Sequence, residues 1–72
     1  MEVIKDKFPR RLQLMRERRR ISRLALSQLC GLWDGAVRQY ERGEAMPSVT
    51  ALAALAEYFG CTTDYLLGIS QE

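Results

Sequence analysis

Asp34, Gly35, Arg38, Gln39 and Arg42 fall on one side of a short stretch whose other side carries Val37 and Tyr40. A helix there turns its apolar edge inward and offers a row of charged and hydrogen-bonding groups outward. Groups of this kind recognise a partner. They do not make a catalytic centre: the 72 residues include no His, and no Ser, Cys or Lys has a partner at catalytic spacing, so an enzyme is not expected. Cys30 and Cys61 are the only cysteines, and without a His or a Cys-x-x-Cys pair they do not complete a zinc site. No metal and no cofactor is expected. Both cysteines read as small buried apolar residues, with a disulfide between them as the alternative.

The net charge of +2 conceals an asymmetry. Residues 1–23 hold nine Lys or Arg against three acids, a net of +6, whereas the rest of the chain has only Arg38 and Arg42 against six acids, a net of −4. Such polarity points to an anionic partner met by one side, nucleic acid ahead of a membrane surface. The other reading of the basic run is a solvated helix.

Five short helices position these groups. Phe8, Leu12, Met15 and the aliphatic stem of Arg19 make one face of a first helix, about Phe8 to Arg20, with Pro9 in its first turn. Ser22 is an N-cap for a two-turn second helix whose Leu26, Leu29 and Cys30 face inward, and Gly31 stops it. The third runs from about Asp34 to Arg42, capped by Trp33 or Asp34 and stopped by Gly43. After the loop Gly43–Pro47, Ser48 caps a fourth helix, about Val49 to Phe59, with Leu52, Leu55, Ala56 and Phe59 inward. Thr62 or Thr63 caps a last helix through Leu67, ended by Gly68.

At this length one core is the most the chain supports. The expected organisation is an N-terminal tail at 1–7, a single all-α domain at 8–68 and a C-terminal tail at 69–72. No apolar run approaches the roughly 20 residues of a membrane span, and the first residues lack the apolar stretch of a signal peptide, so a cytoplasmic protein without membrane partners is expected. The second and third helices around Gly31 have a helix-turn-helix layout, and an exposed helix fits the major groove of a duplex, roughly 12 Å wide.

The order and spacing of several segments resemble the phage-repressor and Cro-type helix-turn-helix proteins, also called the xenobiotic-response-element family. These segments are Leu12-x-x-Met15-Arg16-Glu17, Ile21-Ser22, Leu26-x-x-x-Cys30-Gly31-Leu32, Tyr40-Glu41-Arg42-Gly43, Pro47-Ser48 and Thr63-Asp64-Tyr65-Leu66-Leu67-Gly68. The resemblance covers Phe8 to Gly68 and implies a compact five-helix lambda-repressor-like DNA-binding domain. It also implies that the third helix lies in the major groove of double-stranded DNA while the start of the second touches phosphate.

On that resemblance Arg38 and Gln39 are the leading base contacts, Gln suited to adenine and Arg to guanine, with phosphate neutralisation as the alternative for Arg38. Asp34 accepts from cytosine or caps its helix. Trp33 stands where the family carries a small polar residue, and packs on deoxyribose, on a thymine methyl or against the second helix. Arg23, Ser22, Arg10, Arg11 and Arg42 are the backbone contacts. Arg16 and Glu41 match a structural ion pair of the family. Three departures stand out: Arg20 replaces a helix-ending Gly, Gly35 offers no side chain where a longer polar one is common, and Glu44 places negative charge in a loop that approaches phosphate.

The function implied is a sequence-specific transcriptional regulator, a repressor, acting as a homodimer on a palindromic operator with half-sites about one helical turn apart. Tyr65, Leu66, Leu67 and Ile69 are candidates for the dimer contact, ordinary core being their other reading. A different class, a protein-interaction module of antitoxin or anti-repressor type, is favoured by Trp33, Asp34 and Gly35.

Overall fold

The computed structural model describes residues 4–71, the side chain of residue 5 excepted. Residues 1–3 of the expected N-terminal tail and Glu72 of the C-terminal one lie outside the described residues. Five helices follow in order: α1 (Ile4–Arg18), α2 (Arg23–Leu29), α3 (Ala36–Glu41), α4 (Val49–Phe59) and α5 (Thr63–Leu67), with no strand among the described residues.

Helix α1 begins at Ile4, a full turn ahead of the expected start, so residues 4–7 are helix and not tail. Pro9 consequently sits in the second turn, where it forgoes the bond to the carbonyl four residues earlier. Ser22, Ser48 and Thr62 are the N-caps of α2, α4 and α5, each accepting from the amide three residues on. Helix α3 starts two residues later than expected. Its N-cap is Gly35, which has no capping side chain, because Trp33 to Ala36 close a turn first, the Ala36 amide reaching the Trp33 carbonyl at 3.0 Å.

All five helices end alike. In α1 the Ile21 amide reaches back to the Arg16 carbonyl at 3.4 Å and the Arg20 amide to the Glu17 carbonyl at 3.0 Å, and the same pair of bonds recurs at Gly31, Gly43, Gly60 and Gly68. This closure needs a left-handed residue after the helix. Four helices supply Gly, and α1 supplies Arg20, at φ 53°.

The core gathers Phe8 and Leu12 of α1, Leu26 of α2, Ala36, Val37 and Tyr40 of α3, Leu55, Ala56 and Phe59 of α4, and Leu66 of α5. Helix α1 packs on α3 and α5, α2 on α3, and α4 on α5. Leu29, expected inward, is 65% exposed, and Ser27 is fully buried instead. Ser27 follows Leu26 by about 100° around the helix, on the same side as Cys30, while Leu29 lies on the opposite flank. Leu66 is core and Tyr65 and Leu67 are partly buried, which leaves Ile69 as the one exposed residue among the four proposed for a dimer contact. Arg19 is exposed overall, yet its guanidinium stands 5.4 Å from the Tyr58 and Phe59 ring centroids and donates to the Phe59 carbonyl at 3.0 Å, closing the end of α4.

Candidate nucleic-acid interface

The two-helix unit is fastened by Ser27. Its hydroxyl donates to the Arg23 carbonyl at 2.9 Å and accepts from the Val37 amide at 3.1 Å. That amide belongs to the first turn of α3, where a helix has no internal acceptor to offer. With no side-chain cap of its own, α3 therefore takes one across the turn from α2.

Behind α3, Glu41 is held by Arg16. Arg16 Nε lies 2.6 Å from Glu41 Oε2 and Nη2 lies 3.1 Å from Oε1, a two-point contact, and Nη1 donates to the Ile21 carbonyl at 2.9 Å. The side chains are 13% and 3% exposed. Hydrogen bonding to Glu41 raises the Arg16 pKa above its ordinary value, against the opposing effect of burial. The pair belongs to the frame that carries α3. Cys30 and Cys61, expected to be buried, are only partly so; burial pushes both thiols up, with Arg11 and Arg19 pulling Cys61 the other way, and both cysteines are free, so the alternative of a disulfide is set aside.

With Ala36, Val37 and Tyr40 turned inward, α3 leaves Arg38 exposed and Gln39 half-exposed, neither with a side-chain hydrogen bond among the described residues. Two open grooves flank the helix. One, of about 700 Å³, brings together Ser22 and Arg23 from the start of α2 with Asp34, Gly35 and Arg38. The other, of about 840 Å³, joins Arg10 and Arg11 of α1 to Arg42 and Gly43 beyond α3. Seven of the nine candidate contacts thus line one groove or the other; Trp33 and Gln39 line neither.

Several of these groups already have partners. Asp34 Oδ1 accepts from Gln28 Nε2 at 3.4 Å and does not cap α3. Arg42 pairs with Glu44 at 3.0 Å, both half-exposed. Arg11 is turned into the fold: its Nη1 donates to the Tyr65 carbonyl at 2.7 Å and to the Ser70 carbonyl at 3.4 Å, and its guanidinium lies 4.2 Å from the Tyr65 ring centroid. These bonds tie α1 to the end of α5, a structural role that the sequence reading did not give it. The recurrence of Arg11, Met15 and Arg19 at intervals of four was the available signal, since it puts both arginines on the margin of the buried face. Ser27 was also missed, and a lone Ser inside a helix gives no comparable signal. Trp33 is 61% exposed and not packed into the core, and it lies against Gly35: a Cβ built there would come within 2.5 Å of the indole Cη2.

A family profile described as Helix-turn-helix matches residues 12–66. The chain belongs to the helix-turn-helix family. Among its relatives, the Repressor protein C2 of Salmonella phage P22 is 35% identical over 57 residues, which are 79% of this chain and 26% of that protein. The chain thus spans about a quarter of that relative's length. The solution structure titled as the DNA-binding domain of the P22 C2 repressor matches with a TM-score of 0.77 and 33% identity, covering 90% of this chain and 88% of that domain. This helix-turn-helix chain has the lambda-repressor-like five-helix fold, of phage-repressor type. Its two-helix unit is α2 and α3, inside the matched span.

Proposed function

We propose that the chain is a sequence-specific DNA-binding transcription regulator, a repressor, which inserts α3 into the major groove and acts as a homodimer on a palindromic operator. The carrying observation is the outer edge of α3, where Arg38 is exposed and Gln39 partly so, while Ser27 and the Arg16–Glu41 pair hold its back. Its similarity to a repressor and to the DNA-binding domain of that repressor supports this reading.

In this proposal Arg38 and Gln39 make the principal base contacts, with Asp34 and Trp33 at the start of the helix. Arg23 and Ser22 hold phosphate on one flank of α3, Arg10 and Arg42 on the other. Arg11 is left out of this set, because its guanidinium is engaged by the Tyr65 carbonyl and ring. A module of this size buries a small interface on DNA, which favours a paired arrangement.

The test is selection of bound fragments from a random duplex library at two salt concentrations. A palindrome should be recovered, and its affinity should fall steeply with salt. Recovery of no preferred sequence at low ionic strength removes the proposal and leaves α3 as a protein-binding surface, for which exposed Trp33 is the supporting observation.

A further inference from the structure

We infer that Arg20 holds the phosphate backbone of the duplex beside Arg23, and that its left-handed backbone is the means by which the charge is aimed. The inference rests on the proposal that α3 reads DNA. At φ 53° Arg20 takes a conformation that opposes any L side chain, and the other four helix ends avoid that cost with Gly. Nothing within the fold offsets it. Arg20 is exposed, and its side chain has no hydrogen bond or ion pair among the described residues. Strain that the fold itself does not use points to a task outside it.

The basic run narrows that task to this residue. Arg11, Arg16 and Arg19 are each drawn into the fold, by the Tyr65 carbonyl, by Glu41 and the Ile21 carbonyl, and by the Phe59 carbonyl. Arg18 is exposed, but it lies roughly 200° around α1 from Arg16, which faces α3, so its charge is turned away from the reading helix. Arg20 stands past the end of α1, where the chain turns toward α2, and it is pinned there from both sides. Its amide donates to the Glu17 carbonyl at 3.0 Å, and the next residue, Ile21, donates its amide to the Arg16 carbonyl at 3.4 Å and accepts from Arg16 Nη1 at 2.9 Å. Arg16 is in turn paired with Glu41 of α3. The turn that carries Arg20 is therefore fixed relative to the reading helix. Three residues of chain span at most about 11 Å, which sets Arg20 and Arg23 within reach of neighbouring phosphates on one strand, spaced at about 3.4 Å of helix axis each. The chemistry recognised is the phosphodiester anion, to which a guanidinium donates two bonds at once.

The test uses the full chain with two duplexes, the one recovered by selection and an unrelated one of the same length, titrated between 50 and 200 mM salt. Arg20→Gly keeps the left-handed turn, and Arg20→Asn keeps it with a neutral side chain that tolerates the conformation, so both should remain folded in urea denaturation. Each should reduce the slope of log affinity against log salt by about 0.9 for every protomer bound, so that the advantage of wild type shrinks about 3.5-fold per protomer across that range. Both duplexes should weaken alike, since a phosphate contact carries no sequence information. Arg20→Lys keeps the charge and should keep the wild-type slope. So should Arg18→Gln, which removes a cation of the same run from the face turned away. An unchanged slope in Arg20→Gly and Arg20→Asn, an equal loss in Arg18→Gln or Arg20→Lys, or a loss confined to the selected duplex overturns the inference and leaves the DNA reading standing; wild-type chain that binds neither duplex at low salt overturns both.

Discussion

The Ser27 hydroxyl caps the amide of Val37 from a neighbouring helix, at 3.1 Å and with Ser27 wholly buried. Helix α3 is six residues long, too short to hold its own shape in water, so its orientation is imposed by such contacts. Ser27→Ala removes the acceptor without opening a sizeable cavity, and a buried amide left without a partner costs about 1–3 kcal/mol. Urea denaturation should show that loss, set beside a smaller one, of roughly 1 kcal/mol or less, for the exposed cap variant Ser22→Ala. Equal losses in the two variants would show that the Val37 amide finds another acceptor.

The two-point pairing of Arg16 with Glu41 makes a second prediction. With both side chains nearly covered, removal of either leaves a charge that the interior does not compensate, so Arg16→Ala should cost about 3–5 kcal/mol, most of what a domain of this size has. Arg16→Lys should recover little, because an ammonium does not reproduce the two parallel bonds or the third to Ile21. An Arg16→Ala loss below about 1 kcal/mol in chemical denaturation would place the pair among ornamental surface contacts.

Much of this frame is legible in the chain itself, for reasons specific to particular residues. Ser22, Ser48 and Thr62 precede helical runs and do cap them, and Gly31, Gly43, Gly60 and Gly68 stand where a helix must close with a left-handed residue. Elements whose limits depend on tertiary contact were less legible. Helix α3 starts at Ala36 and not at Asp34 because the turn from Trp33 intervenes, and Asp34 turns to Gln28. Leu29 and Ser27 exchange places because a close approach of α2 and α3 favours a small residue that satisfies an amide over a large apolar one. Of the candidate contacts, Arg11 alone is drawn inward; its interval of four from Met15 marks the margin of the buried face, but that its guanidinium reaches the end of α5 depends on how α1 and α5 pack.

Arg20 is the one residue other than Gly with positive φ among the described residues, and it performs at the end of α1 the task that Gly performs at the other four helix ends. Holding an L side chain there costs roughly 1–2 kcal/mol. Arg20→Gly relieves that strain but frees the unfolded chain, an opposing effect of about 0.4–1 kcal/mol. The net expectation is a gain of about 0.5–1 kcal/mol, read as a higher denaturation midpoint at unchanged slope. A lower midpoint would mean that the Arg20 side chain contributes more than its exposed position suggests.

Glu44 engages Arg42 at 3.0 Å, yet both side chains are half in solvent, so the pair contributes little to stability. Its charge matters more for binding, because it neutralises a cation beside the groove that also holds Arg10. Glu44→Gln should leave the denaturation midpoint within the scatter of surface substitutions, about 0.5 kcal/mol, and tighten binding to the selected duplex at low salt. Unchanged affinity would show that this flank of α3 stays away from phosphate.

Arg23 and Gln39 separate the two kinds of contact that the proposed reading requires. Arg23 is exposed at the first position of α2, without a side-chain partner among the described residues, and shares a groove with Ser22 and Arg38. A contact to phosphate carries no sequence information, so Arg23→Ala should weaken every duplex alike and reduce the slope of log affinity against log salt by about 1. Gln39 lies on α3 itself, half-exposed and beside Arg38, where a carboxamide is able to pair with both edge groups of an adenine. Gln39→Ala should keep the salt slope and lose preference at one base pair, by about 1–3 kcal/mol. If Arg23→Ala altered the selected sequence, or Gln39→Ala weakened all duplexes equally, the two roles would have to be exchanged; if neither variant changed binding, α3 would not be the element in the groove.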